Sequence, residues 1–224
     1  MTRMDSVVKM FSALALVVIA PLSQAVLIDF TDDSWEGAIN TGSTSTATIG
    51  GITLTASTSY LTFNAGDMGG CLSGQLATGL TCNGDGIGIR DDEISQGGVQ
   101  RIVISFLSAV DIYGVHLLDL FGSDSRGGAV GEQAFVAAAG ESVVAYTPSA
   151  NNDGVAGGYW DTGFTASNVS SLMFYAADDG FSDFALARLD IGPGSVVVPE
   201  PGAIALLAVG VLGLGIGRRN CRQS

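Results

Sequence analysis

An all-β domain, built as a two-sheet antiparallel sandwich of jelly-roll-like form, is what this sequence predicts, and three observations lead there. No segment between Val26 and Ser195 keeps a 3.6-residue apolar period. Short runs rich in Val, Ile, Thr and Phe recur instead, separated by Gly, Asp, Asn and Ser. Roughly nine to eleven such runs fit into about 170 residues, the density of a doubled sheet that shields its edge strands. A closed barrel is the main alternative. The lack of a fixed-period repeat disfavours propellers and solenoids.

The strands follow in order. Residues 26–30 open the domain, with Asp29 interrupting an apolar run. In 52–56, Ile52, Leu54 and Ala56 alternate with Thr53 and Thr55, so one face packs and the other meets water. Residues 61–63 belong to the next strand. A glycine-rich, irregular section covers 64–92, and within it Gly-Ile-Gly-Ile at 86–89 alternates like a narrow strand. Residues 101–106 and 110–120 form the strongest pair, joined at Leu107, Ser108 and Ala109. Runs at 135–139, 143–146, 172–176 and 184–191 complete the set. In the last run Ala185, Ala187, Leu189 and Ile191 share one face, and Gly192, Pro193 and Gly194 end it.

Both ends of the chain read as processing signals. Arg3 and Lys9 precede an apolar stretch at 10–20, and Ser23 and Ala25 sit at the −3 and −1 positions of a cleavage after Ala25. That is the layout of a secretory signal peptide over residues 1–25. The stretch is short beside the roughly 20 apolar residues that span a bilayer. The β-sandwich domain then occupies 26–195, and a linker and tail occupy 196–224. The domain carries Arg90, Arg101, Arg126 and Arg188 against 20 of the 22 acids, a net charge of −16. Such a surface repels phosphate backbones and excludes nucleic acid as a partner.

Cys71 and Cys82 flank a glycine-rich loop in the exported part, whereas Cys221 lies behind the tail. In an oxidising compartment the first two are predicted to form a disulfide. Closing a loop of that size stabilises by roughly 2–3 kcal/mol in the chain-entropy picture.

Catalytic chemistry finds little to build on, and no catalytic residue is assigned. A Ser-His-Asp hydrolase needs a histidine, and His116 is the only one, inside a predicted strand. No G-x-S-x-G elbow occurs, and one histidine without a second does not make a catalytic zinc site. The densest acidic cluster, Asp91, Asp92 and Glu93 with Asp85 before it, is a candidate structural calcium site. It matches neither the EF-hand spacing nor the glycine-rich nonapeptide repeat. Asp178, Asp179 and Asp183 form a second acidic loop. Tyr159 and Trp160, flanked by Gly157, Gly158 and Asp161, form a candidate glycan-binding patch. The alternative is that Trp160 and Trp35 fill the core.

The tail has three parts in order: Val198, Pro199, Glu200 and Pro201; an uncharged run at 202–217; then Arg218, Arg219 and Arg222. The prolines keep their segment extended. The run that follows is short as a transmembrane helix, about 24 Å against a hydrocarbon core near 30 Å. The arginines hold its end cytoplasmic. This arrangement resembles the PEP-CTERM protein-sorting domain of Gram-negative bacteria. Gly-Ile-Gly-Ile, Asp-Asp-Glu-Ile and the strand after them also resemble jelly-roll proteins that carry such tails.

The resemblance implies processing by an exosortase near the tripeptide. It implies an inner-membrane precursor, and a mature protein in the envelope or outside the cell, commonly alongside exopolysaccharide. The tail residues are recognition residues in a substrate. The function expected is that of a non-enzymatic surface or matrix protein that binds polysaccharide. Two alternatives are a secreted glycan-active enzyme using the acidic-loop carboxylates and a purely structural matrix protein.

Overall fold

The computed structural model describes residues 25–39, 43–63, 71, 79–90, 93–95, 99–122, 131–148 and 158–194. The signal segment before Ala25, Asp91 and Asp92, and the tail with Val198, Pro199, Glu200, Pro201, Arg218 and Arg219 lie outside these residues. The expected transmembrane run at 202–217 does too. Among the described residues no helix is long and apolar enough to cross a membrane.

Among the described residues eleven strands form one branched antiparallel network: β1 (Val26–Asp29), β2 (Thr46–Ile49), β3 (Ile52–Ala56), β4 (Leu61–Phe63), β5 (Ile87–Ile89), β6 (Ile102–Leu118), β7 (Ala134–Ala138), β8 (Val144–Tyr146), β9 (Trp160–Asp161), β10 (Ala166–Ala176) and β11 (Ala185–Pro193). The main path runs β4-β5-β11-β6-β10-β7-β8. β1 adds to β11, β9 adds to β6, and β3 joins β6 with β2 outside it. The all-β antiparallel character expected from the sequence is therefore present. A second, separately hydrogen-bonded sheet is not found among the described residues.

β6 explains why one network replaces two sheets. Its first half pairs with β3 and β10, and its second half pairs with β11 and β9. The turn expected at Leu107, Ser108 and Ala109 is instead a bulge inside this strand. Between Ser105 and Val110, four residues of β6 face the single Ser170 of β10. A bulge accommodates surplus residues by bending one strand and increasing its twist, without ending it. Leu107 at its crest is 91 % exposed, which is why its neighbourhood reads as a turn in the sequence.

A second bulge corrects the predicted face of the last strand. Ala185 and Ala187 pack into a small cluster with Cys71, Leu80, Cys82 and Leu118. Leu186, Leu189 and Ile191 pack into the main core with Phe30, Trp35, Ile104, Leu172 and Phe174. The register shift between Leu186 and Arg188 switches the parity, so Leu189 joins Leu186 instead of Ala187. β11 is thus buried on both faces.

The short helix α1 (Asp33–Ala38) has no counterpart among the expected elements. Six residues are too few for a periodic signal. Its determinant is a cap: the Asp32 side chain accepts from the Ser34 N–H at 2.8 Å, and Trp35 is buried against Phe30 with ring centroids 5.3 Å apart.

Candidate functional site

Where the second half of β6 meets β11, four side chains join in a hydrogen-bonded chain, Tyr159–His116–Asp190–Arg188. His116 stands opposite Arg188 across the β6–β11 pair, and Gly114 stands opposite Asp190. The position of Gly114 matters because a Cβ there would lie 3.0 Å from both Asp190 Oδ2 and His116 Nε2. Without that side chain the two groups meet at 3.1 Å. Arg188 donates to the same carboxylate from Nε at 2.8 Å and from its terminal nitrogen at 2.9 Å, a two-point grip.

Tyr159 reaches the other ring nitrogen from a different segment. Gly158 has φ +64°, and a Cβ on it would come within 2.6 Å of the Leu120 amide nitrogen. Only glycine lets the chain lie this close, with Leu120 N–H donating to Gly158 O at 3.1 Å. Tyr159 then sets its hydroxyl 2.7 Å from His116 Nδ1, with the two rings stacked at 5.8 Å and 19°.

The partners assign the protons. Burial alone would raise the Asp190 carboxyl, but hydrogen bonds from Arg188 and His116, together with their charges, outweigh it and hold the group below its ordinary value of 3.8. An ionised Asp190 only accepts, so His116 donates to it from Nε2, while the Tyr159 hydroxyl is hydrogen-bonded to Nδ1. Both ring nitrogens are therefore engaged, and neither is turned toward a nucleophile. At the rim, the Asp161 carboxylate lies 3.9 Å from Nδ1 and is 61 % exposed.

The structure divides the predicted glycan pair. Tyr159 packs on the small cluster that holds Cys71 and Cys82, whereas Trp160 packs partly against the main core, paired with Leu117. Neither presents a fully open ring. Trp35 is in the core.

The predicted calcium residues also take separate places. Asp85 is buried, and its Oδ1 accepts from the Cys71 N–H at 3.1 Å. Glu93 lies at the far end of β5, where its carbonyl accepts from Ile89 N–H at 3.1 Å. Asp91 and Asp92 are outside the described residues, and among those described no three His, Cys, Asp or Glu are grouped to hold a metal. In the other acidic loop, Asp179 accepts from the Phe181 and Ser182 backbone and from the Ser182 hydroxyl. Burial opposes ionisation there, but those bonds still hold its pKa down.

Cys71 and Cys82 are disulfide-bonded, with Cα atoms 5.4 Å apart. The loop they close is fastened to β1 as well. Both Asp29 oxygens are used, one by Thr31 and the other by the Thr81 N–H at 2.6 Å and hydroxyl at 2.9 Å.

Sequence reasoning missed the roles of Asp190 and Arg188. They lie far from His116 in the chain, 74 residues in the case of Asp190. One signal was present: two charges at i and i+2 inside an otherwise apolar strand, on the face that the only histidine could share.

Comparison with curated proteins and with solved structures returns no match. Residues 197–222 match the family model of the PEP-CTERM protein-sorting motif. That segment begins a few residues after β11 ends and takes in Val198, Pro199, Glu200, Pro201, Arg218, Arg219 and Arg222. The motif marks this chain as an exported protein sorted through an exosortase.

Proposed function

We propose that this protein is a non-enzymatic component of the cell envelope or extracellular matrix, released from an inner-membrane precursor when an exosortase processes its tail, and that its β domain binds polysaccharide. The sorting motif at 197–222 is the observation that carries this reading. The signal-like N-terminus supports export, and the disulfide suits an oxidising compartment. In this reading the branched sheet closes over its core as a jelly-roll-like sandwich. The domain's net charge of −16 selects among polymers, because acidic polysaccharides are repelled at long range. Neutral chains are the partner class that fits.

Two measurements test this. Intact mass of the protein from its native cells is expected to fall short of the full chain by the signal segment and the tail. A full-length product retained in the inner membrane would overturn the sorting reading. Affinity electrophoresis through gels containing dextran, galactomannan or alginate is expected to show retardation by a neutral polymer and none by alginate. Sugar release from the retained polymer would favour an enzyme instead.

A further inference from the structure

We propose that the polysaccharide binds on the solvent-facing side of the sheet formed by β2, β3, the first half of β6, β10, β7 and β8. This assignment rests on the polysaccharide-binding reading above and names the site for it. The strand register sets three rows of side chains side by side on that face. One row crosses the strands as Arg101, Tyr175 and Phe135, with Phe135 opposite Tyr175 across the β10–β7 pair. The Arg101 guanidinium lies 5.6 Å from the Tyr175 ring centre, and Tyr175 stacks on Phe135 at 4.9 Å and 11°. The next row is Thr55, Val103, Met173 and Ala137, each paired with its neighbour. The third is Thr48, Thr53, Ser105 and Ser171, with the two threonine hydroxyls 3.0 Å apart.

These residues face away from the core, which takes the alternate positions Ile102, Ile104, Leu172, Phe174, Ala134 and Val136. The half-buried Val103 and Met173 and the buried Ala137 make the middle row an apolar floor that ends at Thr55, edged on one side by an aromatic and guanidinium ridge and on the other by hydroxyls. A sugar ring has the same division, with C–H faces and hydroxyl edges. Strand spacing of about 4.8 Å gives each four-strand row roughly 14 Å of length, room for a few rings of an extended chain.

Charge decides between occupants. The domain holds 20 acids, yet none lies in β2, β3, β7, β8, β10 or residues 102–110. In a chain this acidic, six strand segments without a carboxylate mark a face specialised for something other than solubility. Neutral sugar hydroxyls accept from a guanidinium, and they are not repelled by such a surface.

The test uses protein purified from its native cells and gels containing dextran or galactomannan. Tyr175→Ala is expected to weaken retention about tenfold, the effect of losing one aromatic anchor. Ser171→Arg, which blocks the floor and removes no packing, is expected to weaken it to a similar degree. Melting temperatures of both variants are expected to stay near that of the unsubstituted protein. Unchanged retention in both, with loss in Asp161→Asn, would overturn this site and leave polysaccharide binding at the Tyr159 end. No retention of the unsubstituted protein by any neutral polymer would overturn the site and the reading together. Self-association abolished by Ser171→Arg, without polymer binding, would make the face an interface between copies and also overturn it.

Discussion

His116 is held at both ring nitrogens, and that arrangement has consequences for stability and its pH dependence. Replacing it with leucine leaves the half-buried Asp190 carboxylate short of one donor and the Tyr159 hydroxyl short of its ring partner. The expected loss is about 2 kcal/mol. Urea denaturation measures it, and a cycle with Tyr159→Phe isolates the pair, because residues in contact do not add. Asp190 sets the pH dependence. Its pKa is lower folded than its ordinary 3.8, so its contribution is complete above that value and is lost as pH falls through the folded one. Asp179 and Asp32 shift in the same direction, Asp32 through bonds to the Ser34 side chain and backbone. Stability is therefore expected to fall steeply below about pH 4 and to fall less steeply in Asp190→Asn, followed by denaturation across pH 2–6.

At the scale of elements, the disulfide loop and β5 depend on tight backbone contacts. Gly86 has φ +102°, and a Cβ on it would sit 2.3 Å from the Leu186 carbonyl oxygen, a backbone atom that cannot step aside. Gly86→Ala is expected to cost at least about 2 kcal/mol by detaching β5 from β11, visible as a lower denaturation midpoint. The Cys71→Ser, Cys82→Ser double variant is expected to lose roughly 2–3 kcal/mol by freeing the loop in the unfolded chain, although Asp85 and Asp29 still fasten its backbone.

These elements also mark how far the sequence can be read. Alternation located β3, because one of its faces is wet, whereas β7 and the second half of β10 were located as short apolar runs between turn residues. β9 escaped notice at two residues, and β2 is a threonine-rich edge with little apolar signal. The bulges in β6 and β11 were illegible, since parity changes depend on what a partner strand does. The site chain was hidden for the same reason: only pairing brings Tyr159, His116 and Asp190 together.

For the whole molecule, the relation of the two ends to the fold matters most. Val26 pairs with Ile191, so the residue after the predicted signal cleavage lies beside the end of the last strand. Every strand among the described residues is complete by Pro193, and Gly194 N–H still donates to Ala109 O at 3.2 Å. Under the proposed reading an enzyme removes the tail, so the fold has to persist without it, and the described strands all precede it. A chain ending at Gly194 is expected to melt within a degree or two of the longer protein, because it keeps every strand pairing of the described residues. A chain starting at Asp32 is expected to melt several degrees lower. It loses the four-residue β1 pairing and both Asp29 bonds to Thr81, and with them the clamp on the disulfide loop. Thermal denaturation of the two truncations side by side separates these cases. Equal loss from both ends would show that the tail belongs to the folded unit and would overturn its proposed role as a removable handle.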